Sequence, residues 1–252
     1  MTHPHSESEP RPEAGRFLIL KMGSTLPALK ERRGDFEDWI IQGAGLSGAE
    51  VQVVDVPSGQ PFPEMDGRSG VIITGSHSMV TERLPWSERA AQWVREAVAR
   101  DVAVLGICYG HQLLAHALGG AVGNNPHGSE VGTAEVVREG AGAADGLLGT
   151  LPARFTAHES HTQSVLSLPA GAVRLASNGW DANQAFRIGG HAWGVQFHPE
   201  FDAQIMASYI HADGDLLSAE GQDIDERRAT VKETPLAASL LRRFADLCRA
   251  AG

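Results

Sequence analysis

The 252-residue sequence contains only two cysteines, Cys108 and Cys248. Two cannot build a disulfide framework, so a reducing, cytoplasmic compartment is expected. No apolar run approaches the roughly 20 residues that span a bilayer. Residues 1–15, rich in Pro, Glu, Ser and His, lack the apolar stretch of a secretory signal and read as a disordered tail. Positive charge is scarce too: 21 Lys and Arg stand against 31 Asp and Glu, for a net charge of −10. Phosphate backbones and anionic lipids need a basic footprint, so neither nucleic acid nor a membrane surface is expected as a partner. The Ser-Gly-Gly-x-Asp-Ser and G-x-x-x-x-G-K-[ST] loops are missing, so the chain cannot activate an acceptor with ATP through either. His158-Glu159-Ser160-His161 lacks the H-E-x-x-H helix spacing and no further ligand cluster is visible, so no metal and no organic cofactor is expected.

The rest of the composition, 42% hydrophobic and 21% charged, is that of a globular chain. A compact chain of this length buries roughly 70–75% of its unfolded surface and needs no staples. Strand and helix signals alternate. Phe17–Leu20, Val51–Val56 and Val71–Thr74 read as short strands, and Asp35–Ala44 reads as a helix ended by Gly43, Gly45 and Gly48. Pro85 opens a helix whose apolar face is Trp86, Ala90, Trp93, Val94, Ala97 and Val98. Val102–Ile107 shows almost no alternation, as in a parallel strand covered on both faces, and a helix follows from Tyr109 to Leu118. Segments 131–138, 172–177, 183–188 and 191–197 read as strands of antiparallel style. Residues 213–233, with seven acids against three bases, read as a solvated loop or helix face. A last helix has Thr234 as N-cap, Pro235 at its first position and an apolar face of Leu236, Leu240, Leu241, Phe244, Leu247 and Cys248. Cys248 is therefore a packing residue. The sum is one α/β domain over residues 16–252, with a mostly parallel central sheet flanked by helices. An additional small antiparallel sheet and a helical extension over 202–252 complete it.

The segment 106–112, Gly-Ile-Cys-Tyr-Gly-His-Gln, places Cys108 where a buried strand turns into a helix, the geometry of a nucleophile elbow. Gly106 and Gly110 let strand and helix approach closely. The helix N-terminus offers free N–H groups and partial positive charge, which favour the nucleophilic thiolate. The N–H of Tyr109 can face an oxyanion. Such a nucleophile needs a base, and the base an orienter. Among 11 histidines, His198 stands out at the end of a strand, in Gly-Val-Gln-Phe-His-Pro-Glu. Glu200, two residues on, can hold one ring nitrogen and leave the other to the thiol.

These residues resemble the class I glutamine amidotransferases, the triad family with a Cys…His-x-Glu order. GICYGHQLLAHALGG at 106–120 is similar to the family's nucleophile segment, and GVQFHPEF at 194–201 to its His-Pro-Glu segment. The resemblance runs from about Phe17 to about Phe201. It is closest to stand-alone proteins similar to the amidotransferase domain of GMP synthase, through RRGDFEDWI, VIITGSHSMVTERLPW and GSEVGTAEV as well. It implies a flavodoxin-like fold and glutamine or another γ-glutamyl compound as substrate. Cys108 would form a γ-glutamyl thioester and release ammonia, with His198 as acid and base and Glu200 as its orienter. Gly75 would give the second oxyanion N–H, with Ser76 in the same turn. Gln112 would hold the α-amino acid end, and Ser160, His161 and Thr162 would grip the substrate carboxylate. His161 reads equally as a structural loop residue.

Two departures accompany the resemblance. Gly75-Ser76-His77 stands where the family often has Gly-Gly-Pro, and His161-Thr162-Gln163 where GMP synthase commonly has His-Gly-Asp. The implied activity is glutamine hydrolysis that supplies ammonia to a separate synthetase subunit. The alternatives are an autonomous γ-glutamyl peptidase, a cysteine-elbow protein similar to the DJ-1-like group, and a non-enzymatic binding module. The DJ-1-like reading gives no account of His198-Pro199-Glu200, and an intact Cys108, His198 and Glu200 argues against a binding module.

Overall fold

The computed structural model describes residues 17–65 and 67–251, so the predicted tail lies outside the described residues. Among these, β1 (Phe17–Lys21), β2 (Val51–Asp55), β3 (Gly70–Ile73), β4 (Val104–Ile107) and β11 (Ala192–Val195) run parallel. The antiparallel strands β10 (Ala185–Ile188), β9 (Val173–Ser177), β6 (Glu130–Arg138) and β7 (Arg154–His161) continue the same sheet. Its order is β2-β1-β3-β4-β11-β10-β9-β6-β7. The segments expected to be antiparallel thus extend the main sheet, and that at 191–197 is parallel to β4. The small second sheet pairs β5 (Ala121–Asn124) with β8 (Gln163–Ser167), two strands without a clear sequence signal.

Alternation along β1 explains the layering. Phe17 and Ile19 pack with Ile40 and Ala44 of α2 (Phe36–Ala44) and Leu240, Leu241 and Phe244 of α8 (Pro235–Ala251). Leu18 and Leu20 face the other way, toward Ala90, Val94 and Ala97 of α3 (Pro85–Ala99) and Leu113 and Leu114 of α4 (Tyr109–Ala117). Both faces are buried, which is why the parallel strands are continuously apolar. Asp35 caps α2 in a capping box with Asp38, and Gly45 ends it in the left-handed region, while Gly43 lies within the helix. Leu236, expected on the buried face of α8, is exposed and Ala237 takes its place. Helix α1 (Pro27–Arg33) had no sequence expectation.

After β11 the chain forms α5 (Ala203–Ala212), α6 (Gly214–Ala219) and α7 (Ile224–Ala229). They pack in a cluster that includes Phe36, Trp39, Phe201, Tyr209 and Leu217. The acidic stretch is therefore part of the folded body. Among the described residues, no helix is long and apolar enough to cross a membrane.

Candidate active site

Three neighbouring parallel strands deliver the site. Gly75 lies beyond β3, Cys108 directly after β4 and His198 beyond β11, with Ile73 opposite Gly106 and Val195 opposite Ile107. All three therefore emerge at the carboxyl edge of the sheet, where open α/β sheets bind their ligands.

Cys108 has φ 49° and ψ −102°, a left-handed conformation rare for a residue with a side chain. Such strain costs on the order of 1–3 kcal/mol and needs a rigid surround. The Cys108 N–H donates to the Val195 carbonyl at 2.9 Å. A Cβ on Gly106 would sit 2.4 Å from the Gly110 carbonyl oxygen, and one on Gly110 would sit 2.4 Å from that of Ile73. The elbow thus fits only with glycine on both sides. Gly106→Ala is expected to cost about 1–3 kcal/mol by overpacking, visible as a lower Tm by several degrees together with a loss of activity. Unchanged melting and rate would show that the elbow has slack.

His198 Nδ1 lies 2.8 Å from Glu200 Oε1, and both side chains are buried. The imidazole lies against Phe201, with ring centroids 4.1 Å apart, and the His198 N–H donates to the His158 carbonyl at 2.8 Å. Burial alone would lower the pKa of His198. The Glu200 carboxylate and the Cys108 sulfur outweigh burial and raise it to about 10. At neutral pH the ring is an imidazolium beside the sulfur, a proton donor already charged. A Cβ on Gly75 would be 3.2 Å from His198 Cε1, so the turn after β3 faces the same ring. The first N–H groups of α4, beginning with Tyr109, have no carbonyl partner within the helix.

A cavity of about 180 Å³ is lined by Cys108, Ser76, Tyr109, Gln112, Ser160, His161 and Thr162. The Cys108 thiol lies 3.7 Å from the Ser160 carbonyl oxygen. Gln112 donates its side-chain N–H groups to the Gln163 carbonyl at 2.7 Å and to Gln196 Oε1 at 3.0 Å, bracing the cavity floor. The Tyr109 hydroxyl turns away to Ser87 Oγ at 2.6 Å, leaving only its backbone toward the sulfur. A larger cavity of about 670 Å³ lies at the opposite edge of the sheet, by Ser69, Ala103 and His191, away from Cys108.

Among the cavity-lining residues that the sequence reading did not assign to the site are Gln163, Asp213 and Leu216. Gln163 donates to Thr81 Oγ1 at 2.7 Å and to Asn124 Oδ1 at 3.0 Å. Asp213 and Leu216, from the stretch read as solvated, also line the cavity. No local signal separates these residues from surface polar ones; their roles come from chain segments far apart in sequence.

His161 belongs to a buried group. Its Nε2 is 3.1 Å from Glu130 Oε2 and 3.5 Å from Glu159 Oε2, and its Nδ1 is 3.0 Å from the Gln163 carbonyl oxygen. Both ring nitrogens face acceptors, so the ring holds two protons; burial opposes this, but the two carboxylates keep its pKa well above the ordinary value. Burial, then the Glu130 charge, pushes Glu159 up to about 8. Asn178 and Gln184 donate to Glu130 at 2.6 and 3.0 Å. The ligand atoms of Glu130, Glu159 and His161 lie within 4.8 Å of one another, a donor set that a divalent ion could also use. The distance along the chain between Glu130 and the other two hid this cluster from the sequence reading.

A cysteine on a strained strand–helix elbow, facing a buried His–Glu pair, defines a nucleophile-elbow site on a doubly wound sheet. The chain belongs to the class-I glutamine amidotransferase family, whose model matches residues 30–214. It is 25% identical to gamma-glutamyl peptidase 3 of Arabidopsis thaliana over 223 residues, covering 86% of this chain and 89% of that protein. It is 31% identical to a glutamine-hydrolyzing GMP synthase subunit of Saccharolobus solfataricus over 170 residues, covering 66% of this chain and 85% of that one. The crystal structure of a glutamine amidotransferase from Thermotoga maritima superposes with a TM-score of 0.73 at 24% identity, covering 92% of this chain and 97% of that one.

Proposed function

We propose that the protein hydrolyses the side-chain amide of glutamine and delivers ammonia to a separate synthetase. The observation that carries this reading is Cys108 on its elbow beside the His198–Glu200 pair. The Cys108 sulfur attacks the γ-carbonyl carbon, forming a C–S bond. The oxyanion is received by backbone N–H groups of Tyr109 and Gly75. As the C–N bond breaks, His198 gives its Nε2 proton to the leaving nitrogen, which departs as ammonia. His198 then takes a proton from water, hydroxide adds to the thioester carbon, and the C–S bond breaks to give glutamate. Glu200 keeps Nδ1 protonated and the ring oriented throughout. The cavity of about 180 Å³ supports a small substrate, being below the roughly 300–1,000 Å³ of sites for larger ligands.

A second reading is an autonomous γ-glutamyl peptidase with the same residues and a larger leaving amine. The match to gamma-glutamyl peptidase 3 along most of both chains favours it. The test is steady-state kinetics of the isolated protein on glutamine and on γ-glutamyl amides, with glutamate and released amine both measured. A protein serving a synthetase is expected to show weak basal glutamine hydrolysis that rises on adding the partner. A misalignment of about 1 Å suffices to hold the rate down about 10²-fold. A kcat/KM of roughly 10⁴ M⁻¹s⁻¹ or more on a γ-glutamyl peptide, but not on glutamine, would establish the peptidase.

A further inference from the structure

We propose that His77 is a positioning residue: its ring, stacked on Tyr209, holds the Gly75 turn in register with His198, so that the oxyanion N–H stands in place before substrate arrives. This rests on the γ-glutamyl reading above. Gly75 is buried, and among the described residues the N–H groups of Gly75, Ser76 and His77 make no hydrogen bond. Buried N–H groups are nearly always paired, and one left free in the turn that faces His198 is available to a ligand oxygen. That freedom leaves the turn short of restraint. Neither glycine nor histidine fixes its own φ as proline does, so neighbours have to hold the backbone. At the β3 end a hydroxyl does so. Thr74 Oγ1 accepts from the Met22 N–H at 2.9 Å and donates to the Gly75 carbonyl at 2.9 Å, which ties the turn to the end of β1. The Ser76 hydroxyl accepts from the Ser78 N–H at 3.1 Å, a bond inside the turn that fixes nothing outside it. At the far end the contact is between rings: His77 lies parallel to Tyr209, with 4° between the planes and centroids 5.9 Å apart.

Tyr209 is a firm support. It is buried on α5, and its hydroxyl lies 2.8 Å from Thr25 Oγ1, while the Thr25 N–H donates to Asp35 Oδ1 at 2.8 Å. Its ring centroid is 4.9 Å from that of Phe201, the ring that lies against His198 at 4.1 Å. The rings therefore run without a break from His77 through Tyr209 and Phe201 to His198. The run closes on itself, because a Cβ on Gly75 would be 3.2 Å from His198 Cε1. Turn and base thus share one support. His77 is the exposed member of the run, so its contact is the link that a side-chain change can break without opening the core. An offset ring pair biases a two-state equilibrium by about two- to tenfold. Rate follows the population of the aligned turn, and both formation and hydrolysis of the thioester pass through an oxyanion, so the same factor enters both steps.

The test uses the full chain with L-glutamine and a chromogenic L-γ-glutamyl anilide. His77→Ala is expected to lower kcat about five- to tenfold and leave KM within about twofold. His77→Phe keeps a ring on Tyr209 and is expected to restore kcat to within about twofold of wild type. Two probes of Cys108 separate the turn from the nucleophile. The γ-semialdehyde of glutamate adds reversibly to the sulfur: a C–S bond forms and the carbonyl oxygen becomes an oxyanion. Its inhibition constant is expected to weaken in His77→Ala by the same factor as kcat. Iodoacetamide alkylates the sulfur with loss of iodide and forms no oxyanion, so its rate is expected to stay within about twofold. Unchanged kcat and aldehyde inhibition in His77→Ala would overturn the proposal. So would a loss in His77→Phe equal to that in His77→Ala, which would mean that the imidazole itself is used, or an equal fall in alkylation, which would place the damage at the elbow. Wild-type protein inactive on both substrates, with Cys108 unreactive toward a glutamine-analogue electrophile, would sink the γ-glutamyl reading itself. An active wild type indifferent to His77 would sink the positioning role alone.

Discussion

Cys108→Ala is expected to lower γ-glutamyl hydrolysis by at least about 10⁴-fold, while Cys248→Ala keeps most of the wild-type rate. The two thiols differ in everything except burial. Cys108 stands at the carboxyl edge of β4, against the cavity and beside the His198 imidazolium. Cys248 lies on the core face of α8, and a Cβ on Gly70 at the start of β3 would meet its sulfur at 2.6 Å. Burial pushes the Cys248 thiol up to about 12, so it stays protonated at neutral pH, and a protonated thiol is a poor nucleophile. A glutamine-analogue electrophile is therefore expected to add once, at Cys108, as read by mass spectrometry of peptides. Label on Cys248 with Cys108 untouched would overturn the assignment.

His198→Ala is expected to cost more rate than Glu200→Gln, and Glu200→Gln itself up to roughly 10⁴-fold. A misoriented imidazole still transfers protons part of the time, whereas its absence removes both proton transfers. Charge gives a second readout. With a pKa raised to about 10, His198 is the proton donor across neutral pH, and kcat/KM is expected to fall as pH rises through about 10. Glu200→Gln removes the negative charge that does most to raise it, so the alkaline limb moves to lower pH. The same shift bears on stability. A histidine raised in the folded state contributes stability fully present below its ordinary value of 6.5 and lost as pH rises through about 10. Wild-type rate and an unmoved limb in Glu200→Gln would make Glu200 a structural residue only.

The sequence by itself determined what is local. Continuous apolar runs marked β1, β3 and β4 because strands covered on both faces cannot alternate. Glycine at 106 and 110 marked the elbow because no Cβ fits there. Two residues of separation marked the His198–Glu200 pair because a carboxylate at that spacing reaches one ring nitrogen, as it does at 2.8 Å. Tertiary structure decided what rests on distant partners. The strands β5, β7 and β8 are short or polar, and only their neighbours' hydrogen bonds make them strands. Glu130 meets His161 because β6 and β7 pair in register, a contact that no local spacing encodes. Asp213 reads in sequence as one more acid in an acidic stretch. It becomes part of the cavity because Glu220 and Gln222 fasten that stretch to Ser129, more than 90 residues upstream, and loop closure over such a distance leaves no periodic trace in the chain.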